Sequence, residues 1–340
     1  MTGVHWNNSL WSTYEEDYQK VAPFDDVLII IAAYGGDPRQ IERQYRMCER
    51  LHGMGKRIIY RIESRGFQDV DKFVQKWTSI LQSLLPFGDC VQLNNEPNHP
   101  GENFGGPDWA AAVNYNAYFL RLAPALKAAV PGLKLGFPGL AVQQNEVNWW
   151  TACREAMELA DWVGCHVYAQ FENWDDPAWG RRYELLQALT DKPIIITEYG
   201  DSTPGRPIEE KAQRYKAWLE ELPGQIEAAY CYLLSSPHDE WAEFVLNDKA
   251  IEIICSAKTQ SQPEAKKKEA PIMPEQFTYA FEGDFVRFDR ENPGLKLKPT
   301  SEAIYLSQGR AVQLANKGVL AYVPGERTTL HKPYRSRKKA

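Results

Sequence analysis

The chain has 340 residues, 44% of them hydrophobic and 25% charged, a balance that fits a globular protein with one large domain and a small one. Its formal net charge of -6 gives no global field that would draw nucleic acid, and no apolar run reaches the length of a membrane span. The opening residues lack a basic stretch followed by an apolar core, so a cytoplasmic protein is expected, with a processed leader or non-classical export left open.

From residue 1 to about 258, short apolar runs alternate with amphipathic stretches of helical length. Strands are predicted over 4–7, 27–34, 57–63, 90–95, 134–138, 162–169, 193–198 and 228–234. Most are rich in Ile, Val or Tyr, as strands buried on both faces are. Helices are predicted over 38–53, 108–130, 208–221 and 246–257, the second stopped by Pro131-Gly132. Eight strand-then-helix units in roughly 258 residues match the count and span of a (β/α)8 TIM barrel. A doubly wound open sheet shares the alternation, but no Gly-rich phosphate loop follows the first strand, and Gly35-Gly36 does not fit GxGxxG.

Residues 259–275, TQSQPEAKKKEAPIMPE, hold too little apolar surface to fold and read as a linker. Residues 276–330 carry the alternating runs FTYAFEGDFVRF, AIYL, RAVQLA and GVLAYV, the pattern of a small β-rich accessory module. Residues 331–340 form a basic tail. The six Cys are scattered without CxxC or zinc-ligand spacing, so reduced thiols are expected. His5, His166 and His238 make neither HxH nor HExxH. No metal and no cofactor are expected.

Two strand ends carry the chemistry, VQLNNEPN and IIITEYGD. TIM barrels place reactive groups where strands run out at the C-terminal face. Glu96 and Glu198 end the fourth and seventh strands, so the barrel brings both carboxyls to one mouth. Glycoside hydrolysis needs such a pair, one to protonate the leaving oxygen and one to attack the anomeric carbon or activate water.

With these motifs the barrel region, about three-quarters of the chain, resembles the clan of TIM-barrel retaining glycosidases that includes cellulases, mannanases and β-galactosidases. That clan ends its fourth strand with Asn-Glu, often followed by Pro, matched here by Asn95-Glu96-Pro97. Its nucleophile ends the seventh strand, matched by Glu198 in Thr197-Glu198-Tyr199-Gly200, and many members carry His-x-Tyr on the sixth, matched by His166-Val167-Tyr168. The resemblance implies Glu96 as general acid/base, Glu198 as nucleophile, and Asn95 as a partner of the substrate 2-hydroxyl. It also implies carboxyls about 5–5.5 Å apart, with Glu96 the more basic of the two before attack.

His166 and Tyr168 are two apart on a strand and so share a face, from which Tyr168 can hold the Glu198 carboxylate. Arg61, on the third strand, either orients a carboxylate or pairs with Glu63; the clan's early-strand Arg is usually on the second. Trp6, Trp174 and Trp241 follow strand ends and are candidate sugar platforms. The eighth strand reads CYLLSSPHDEW without the clan's usual terminal Trp, so Trp241 or Tyr232 is expected to replace it.

The function implied is a retaining O-glycoside hydrolase acting by double displacement on a β-linked glycan. The alternative is a non-catalytic carbohydrate-binding protein on a hydrolase-like barrel. The expected partner is an oligo- or polysaccharide, with neither nucleic acid nor membrane, and residues 276–330 are candidates for surface or cell-wall attachment.

Overall fold

A computed structural model describes residues 1–6, 15–32, 38–142, 145–171, 173–235 and 239–257, together with four short strands between 304 and 331. Its contacts divide the chain into two units, Met1–Glu264 and Ala265–Ala340.

The first unit is a closed barrel of eight parallel strands, each hydrogen-bonded to the next in chain order, with the eighth returning to the first. The strands are β1 Thr2–Trp6, β2 Asp26–Ile31, β3 Arg57–Ile62, β4 Cys90–Gln92, β5 Lys134–Phe137, β6 Trp162–Ala169, β7 Ile194–Asp201 and β8 Ile226–Tyr232. The helices are α1 Glu15–Val21, α2 Pro38–Gly53, α3 Val70–Leu84, α4 Trp109–Ala129, α5 Glu146–Ala152, α6 Arg154–Leu159, α7 Tyr183–Gln187, α8 Ile208–Glu221 and α9 Asp248–Cys255. The predicted (β/α)8 fold is therefore present. Helix α3 was not singled out in the sequence, although Asp69 caps it by accepting from the Lys72 amide and Phe73, Trp77, Ile80, Leu81 and Leu84 form its buried stripe.

On the two strands that lead to the carboxyls, the ends differ from expectation. β4 stops at Gln92, because Asn94 and Glu96 take left-handed backbone (φ 64° and 37°) that leaves the ladder. β7 continues past Glu198 to Asp201, paired with β6 through Tyr168 opposite Gly200 and Ala169 opposite Asp201.

Strand alternation sorts the side chains into two cores. Outward-facing residues such as Val27, Ile29, Val91, Leu135 and Val163 pack against the helices. Inside the barrel, Leu28, Ile59, Cys90, Trp162, Ile195, Ala228 and Tyr230 form an apolar floor. Its largest member, Trp162, needs Gly136 opposite: a Cβ there would stand 2.3 Å from the indole. All six thiols are free, five of them buried and Cys255 half-buried. Among the described residues, no helix is long and apolar enough to cross a membrane.

The second unit holds a four-stranded antiparallel sheet in the order β12-β11-β10-β9, from β9 Ile304–Tyr305, β10 Ala311–Ala315, β11 Gly318–Tyr322 and β12 Thr329–His331. The expected linker, the run FTYAFEGDFVRF and the basic tail from 332 onward lie outside the described residues.

Candidate active site

On β3, β4 and β8 the inward face turns polar two residues beyond the apolar floor. Ile59 gives way to Arg61 on β3, Cys90 to Gln92 on β4, and Tyr230 to Tyr232 on β8. On β1 the inward residue at this level is His5, and on β6 it is His166, followed by Tyr168. This layer surrounds Glu198.

Glu198 gets there through an irregularity in β7. Against β6 the register runs Cys165 opposite Ile196, then His166 opposite Glu198, skipping Thr197. Against β8 it shifts between Ile196 and Tyr199. Ile195 belongs to the floor and Ile196 to the outer core, so strict alternation would turn Glu198 outward. The extra residue re-aims it inward, a recognised use of bulges beside active sites. Tyr199 then resumes its outward place in the helix-facing core.

The inward carboxylate is held on several sides. Arg61 Nη1 pairs with Glu198 Oε1, and the Tyr168 hydroxyl donates to Glu198 Oε2 at 2.7 Å. His166 Nδ1 lies 3.6 Å from the same Oε2 and 2.8 Å from Glu96 Oε1, so one imidazole edge spans both carboxyls. Arg61 also reaches His5 Nε2 at 3.1 Å, Gln92 Oε1 at 3.4 Å and His166 Nε2 at 3.4 Å. Burial alone would raise the Glu198 carboxyl, but the fields of His166 and Arg61 and the Tyr168 hydrogen bond hold it well below the usual carboxylate range. Burial, reinforced by Arg61, pushes His5 down to about 3, which keeps it neutral at pH 7. As a neutral ring it accepts from the guanidinium through Nε2.

Space for His166 comes from Gly139, just after β5. A Cβ there would lie 2.1 Å from His166 Cδ2 and 2.9 Å from Thr197 Oγ1.

Glu96 enters from the turn after β4. Its amide donates to the Gly139 carbonyl at 3.1 Å, and its carbonyl accepts from the His99 amide at 2.7 Å. The turn is anchored by Asn98, whose side chain exchanges hydrogen bonds with both backbone groups of Ala141. Asn94 is held by the Tyr115 hydroxyl and the Ser64 carbonyl. Asn95, between them, is half-buried, and its Oδ1 is buried without a hydrogen-bond partner. One carboxylate oxygen of Glu96, one of Glu198 and one nitrogen of His166 all lie within 4.8 Å of one another. That spacing would also admit a cation, but the Arg61 guanidinium already supplies positive charge to Glu198.

Of the predicted site residues, the structure brings together Glu96, Glu198, His166, Tyr168 and Arg61. Arg61 pairs with Glu198, while Glu63 faces Arg65 at 3.6 Å. Two platforms are corrected. Trp6 is fully buried, because the alternation that aims His5 inward turns its neighbour out against Tyr18 of α1. Trp174 is buried against Tyr215 and Trp218 of α8. Trp241 is partly exposed and packs edge-on against Tyr232, which itself neighbours His5 and Tyr168. Tyr232 and Trp241 thus sit at the end of β8, where the sequence lacks a terminal Trp.

Sequence reasoning missed three polar contributors. His5 and Gln92 carry no local motif and are found only through strand parity. Glu102, after the Asn94–Asn98 turn, is pushed up to about 7 by burial, with Glu63 and Glu96 adding to the rise against Arg65.

No protein-family model matches the chain, and no curated protein matches it. Solved structures do. One is a monomeric β-xylosidase from Caulobacter crescentus (16% identity, 75% of this chain and 66% of that one, TM-score 0.55). Another is a mutant of a family 5 glycoside hydrolase from Prevotella bryantii in complex with a xyloglucan tetradecasaccharide (15% identity, 75% and 95% covered, TM-score 0.55). A third is the catalytic domain of a Streptomyces mannanase (14% identity, 78% and 88% covered, TM-score 0.53). What is shared at such identities is the fold: the barrel unit has the architecture of the TIM-barrel glycoside hydrolases.

Proposed function

We propose that the barrel is a retaining O-glycoside hydrolase acting on a β-linked glycan, with Glu198 as nucleophile and Glu96 as general acid/base. The observation that carries this reading is the pair of carboxyls at one mouth, bridged by His166 and with one oxygen of each within 4.8 Å, a closeness that favours the shorter of the two known separations. Retaining enzymes hold them about 5–5.5 Å apart, whereas inverting enzymes need about 6.5–9.5 Å to admit a water.

In the first displacement, Glu198 attacks the anomeric carbon while Glu96 gives its proton to the departing oxygen. In the second, Glu96 takes a proton from water, which attacks the same carbon and releases Glu198. Two inversions retain the configuration. Arg61 and Tyr168 keep Glu198 ionised and aimed, and His166 positions Glu96. Asn95, half-buried in the turn beside Glu96, offers its side-chain amide to a substrate 2-hydroxyl. In this reading residues 1–258 are the catalytic barrel, 259–275 a linker and 276–330 an accessory module.

The test is hydrolysis of aryl β-glycosides and β-linked polysaccharides by wild type, Glu96→Ala and Glu198→Ala. Loss of Glu96 is expected to cost about 10²–10⁴-fold on substrates with poor leaving groups. Azide should rescue Glu198→Ala with an inverted glycosyl azide, and Glu96→Ala with a retained one. A Glu198→Ala variant that keeps its rate removes the nucleophile assignment. A wild type that binds glycans and cleaves none makes the barrel a carbohydrate-binding protein.

A further inference from the structure

Among the described residues, the exposed Phe and Trp side chains are Phe67, Phe171 and Trp241, at 46%, 56% and 37%. All three lie in loops that follow barrel strands, β3, β6 and β8, and therefore on the face that carries Glu96 and Glu198. Scattered exposed apolar residues need no explanation. Phe67, Phe171 and Trp241 share one rim and each is anchored there, whereas the other exposed aromatic among the described residues, Tyr45, lies on α2.

Phe67 is held edge-on by two rings, Phe104 at 5.2 Å and 89° and Tyr118 at 5.5 Å and 83°. Trp241 is held by Tyr232 at 5.7 Å and 87° and by Phe244 at 6.3 Å. Phe171 is fixed through its backbone, which takes the left-handed region at φ 51°. Its amide donates to Thr203 Oγ1 at 2.7 Å, and its carbonyl accepts from Arg206 and Arg214. Fixing an exposed ring in advance removes ordering cost from whatever binds it.

Their order around the barrel gives a direction. The carboxyl-bearing strands β4 and β7 divide the closed ring into a short arc, β5–β6, and a long arc, β8–β1–β2–β3. Phe171 stands on the short arc, and Trp241 and Phe67 on the long one. A chain threaded between the carboxyls crosses from one arc to the other and meets a flat apolar ring on each side. The apolar faces of sugar rings stack on such surfaces.

From this placement we infer that the substrate is a polymeric β-glycan cut at interior bonds, with Phe171 binding sugars on one side of the scissile bond and Trp241 and Phe67 on the other. The inference rests on the hydrolase reading above and adds endo action and three specificity-determining residues.

The experiment follows reducing-end-labelled cello-, xylo- and mannohexaose, and aryl β-glycosides, with the full chain. Wild type is expected to yield di-, tri- and tetrasaccharides as first products from one hexaose. Phe171→Ala should lower kcat/KM on that hexaose about three- to tenfold and redistribute the cuts, with Phe171→Tyr recovering most of the loss. Three results would overturn the inference and leave the hydrolase reading standing. They are single sugars trimmed from one end, aryl glycosides cleaved but no hexaose, or a Phe171→Ala variant with wild-type kcat/KM and cut positions. No product from any hexaose or aryl glycoside overturns both.

Discussion

Arg61→Met removes the buried guanidinium that neutralises Glu198 and keeps most of the side-chain volume. Arg61 is 3% exposed and its Nη1 pairs with a carboxylate that is also buried, so the variant leaves an uncompensated buried charge. Breaking such a pair on one side costs about 3–5 kcal/mol, a large share of the ~5–15 kcal/mol that holds a typical domain folded. In a Glu198→Gln background the buried guanidinium is itself left without its counter-charge, so removing it relieves a charge instead of orphaning one. The same substitution then costs at most about 1–2 kcal/mol, for the bonds lost by His5, Gln92 and His166. A double-mutant cycle by urea unfolding at pH 7 should therefore give a coupling of at least about 2 kcal/mol. The pH dependence has a definite sign. The folded Glu198 carboxyl lies below its ordinary value of 4.5, so its contribution is full above that value and is lost as pH falls through the depressed folded value. Without Arg61 the folded value moves up, and protonation relieves the orphaned charge sooner. The deficit of Arg61→Met relative to wild type should thus shrink on acidification. A coupling below about 0.5 kcal/mol, or a deficit that grows as pH falls, would refute the assignment of Arg61 as the counter-charge of Glu198.

Tyr168→Phe deletes the 2.7 Å hydroxyl bond to Glu198 Oε2. A hydrogen bond to a charged group is worth about 1.5–3 kcal/mol, so kcat/KM should fall about 10- to 100-fold, and the acidic limb of its pH profile should move to higher pH. Gly139→Ala puts a methyl 2.1 Å from the His166 ring and should displace it from Glu96, lowering kcat while costing about 1–3 kcal/mol of stability by urea titration. Wild-type kcat in that variant would mean that the His166–Glu96 bond is dispensable.

The barrel was legible because both faces of its strands are buried, which writes each strand as a compact apolar run between amphipathic segments. The carboxyls were legible because each follows such a run and precedes a residue that punctuates strands, Pro97 for Glu96 and Gly200 for Glu198, although β7 runs on through Gly200 to Asp201. His166 and Tyr168 were picked out by the resemblance to the clan's His-x-Tyr, and their spacing put them on one face. Trp174 failed as a platform because the turn after β6 packs it against α8, and Trp6 failed for the reason that Tyr168 succeeded: parity decides which way a strand side chain points. On β1 either His5 or Trp6 can face inward, and nothing in the local sequence of Thr2–Trp6 settles which. All five of its residues are buried, so the usual apolar–polar alternation is missing.

The β7 irregularity shows how far that reasoning goes. Counted from Ile195 of the floor, Glu198 falls at an odd offset and should point at the helices, where an ionised carboxyl without Arg61 or Tyr168 would be untenable. The sequence IIITEYGD has no glycine or proline before Glu198 to announce a bulge. The extra residue is imposed from outside the strand. Arg61 presents positive charge and Tyr168 a hydrogen-bond donor inside the barrel, and Tyr199 fits the outer core beside Tyr215 and Trp218. Satisfying Glu198 inward and Tyr199 outward, with Ile195 and Ile196 already placed, requires one residue more than a regular strand supplies, and Thr197 is that residue. The site is therefore encoded by the agreement of β3, β6 and β7 about where charge and bulk can go, a tertiary constraint that a reading of any one strand does not contain.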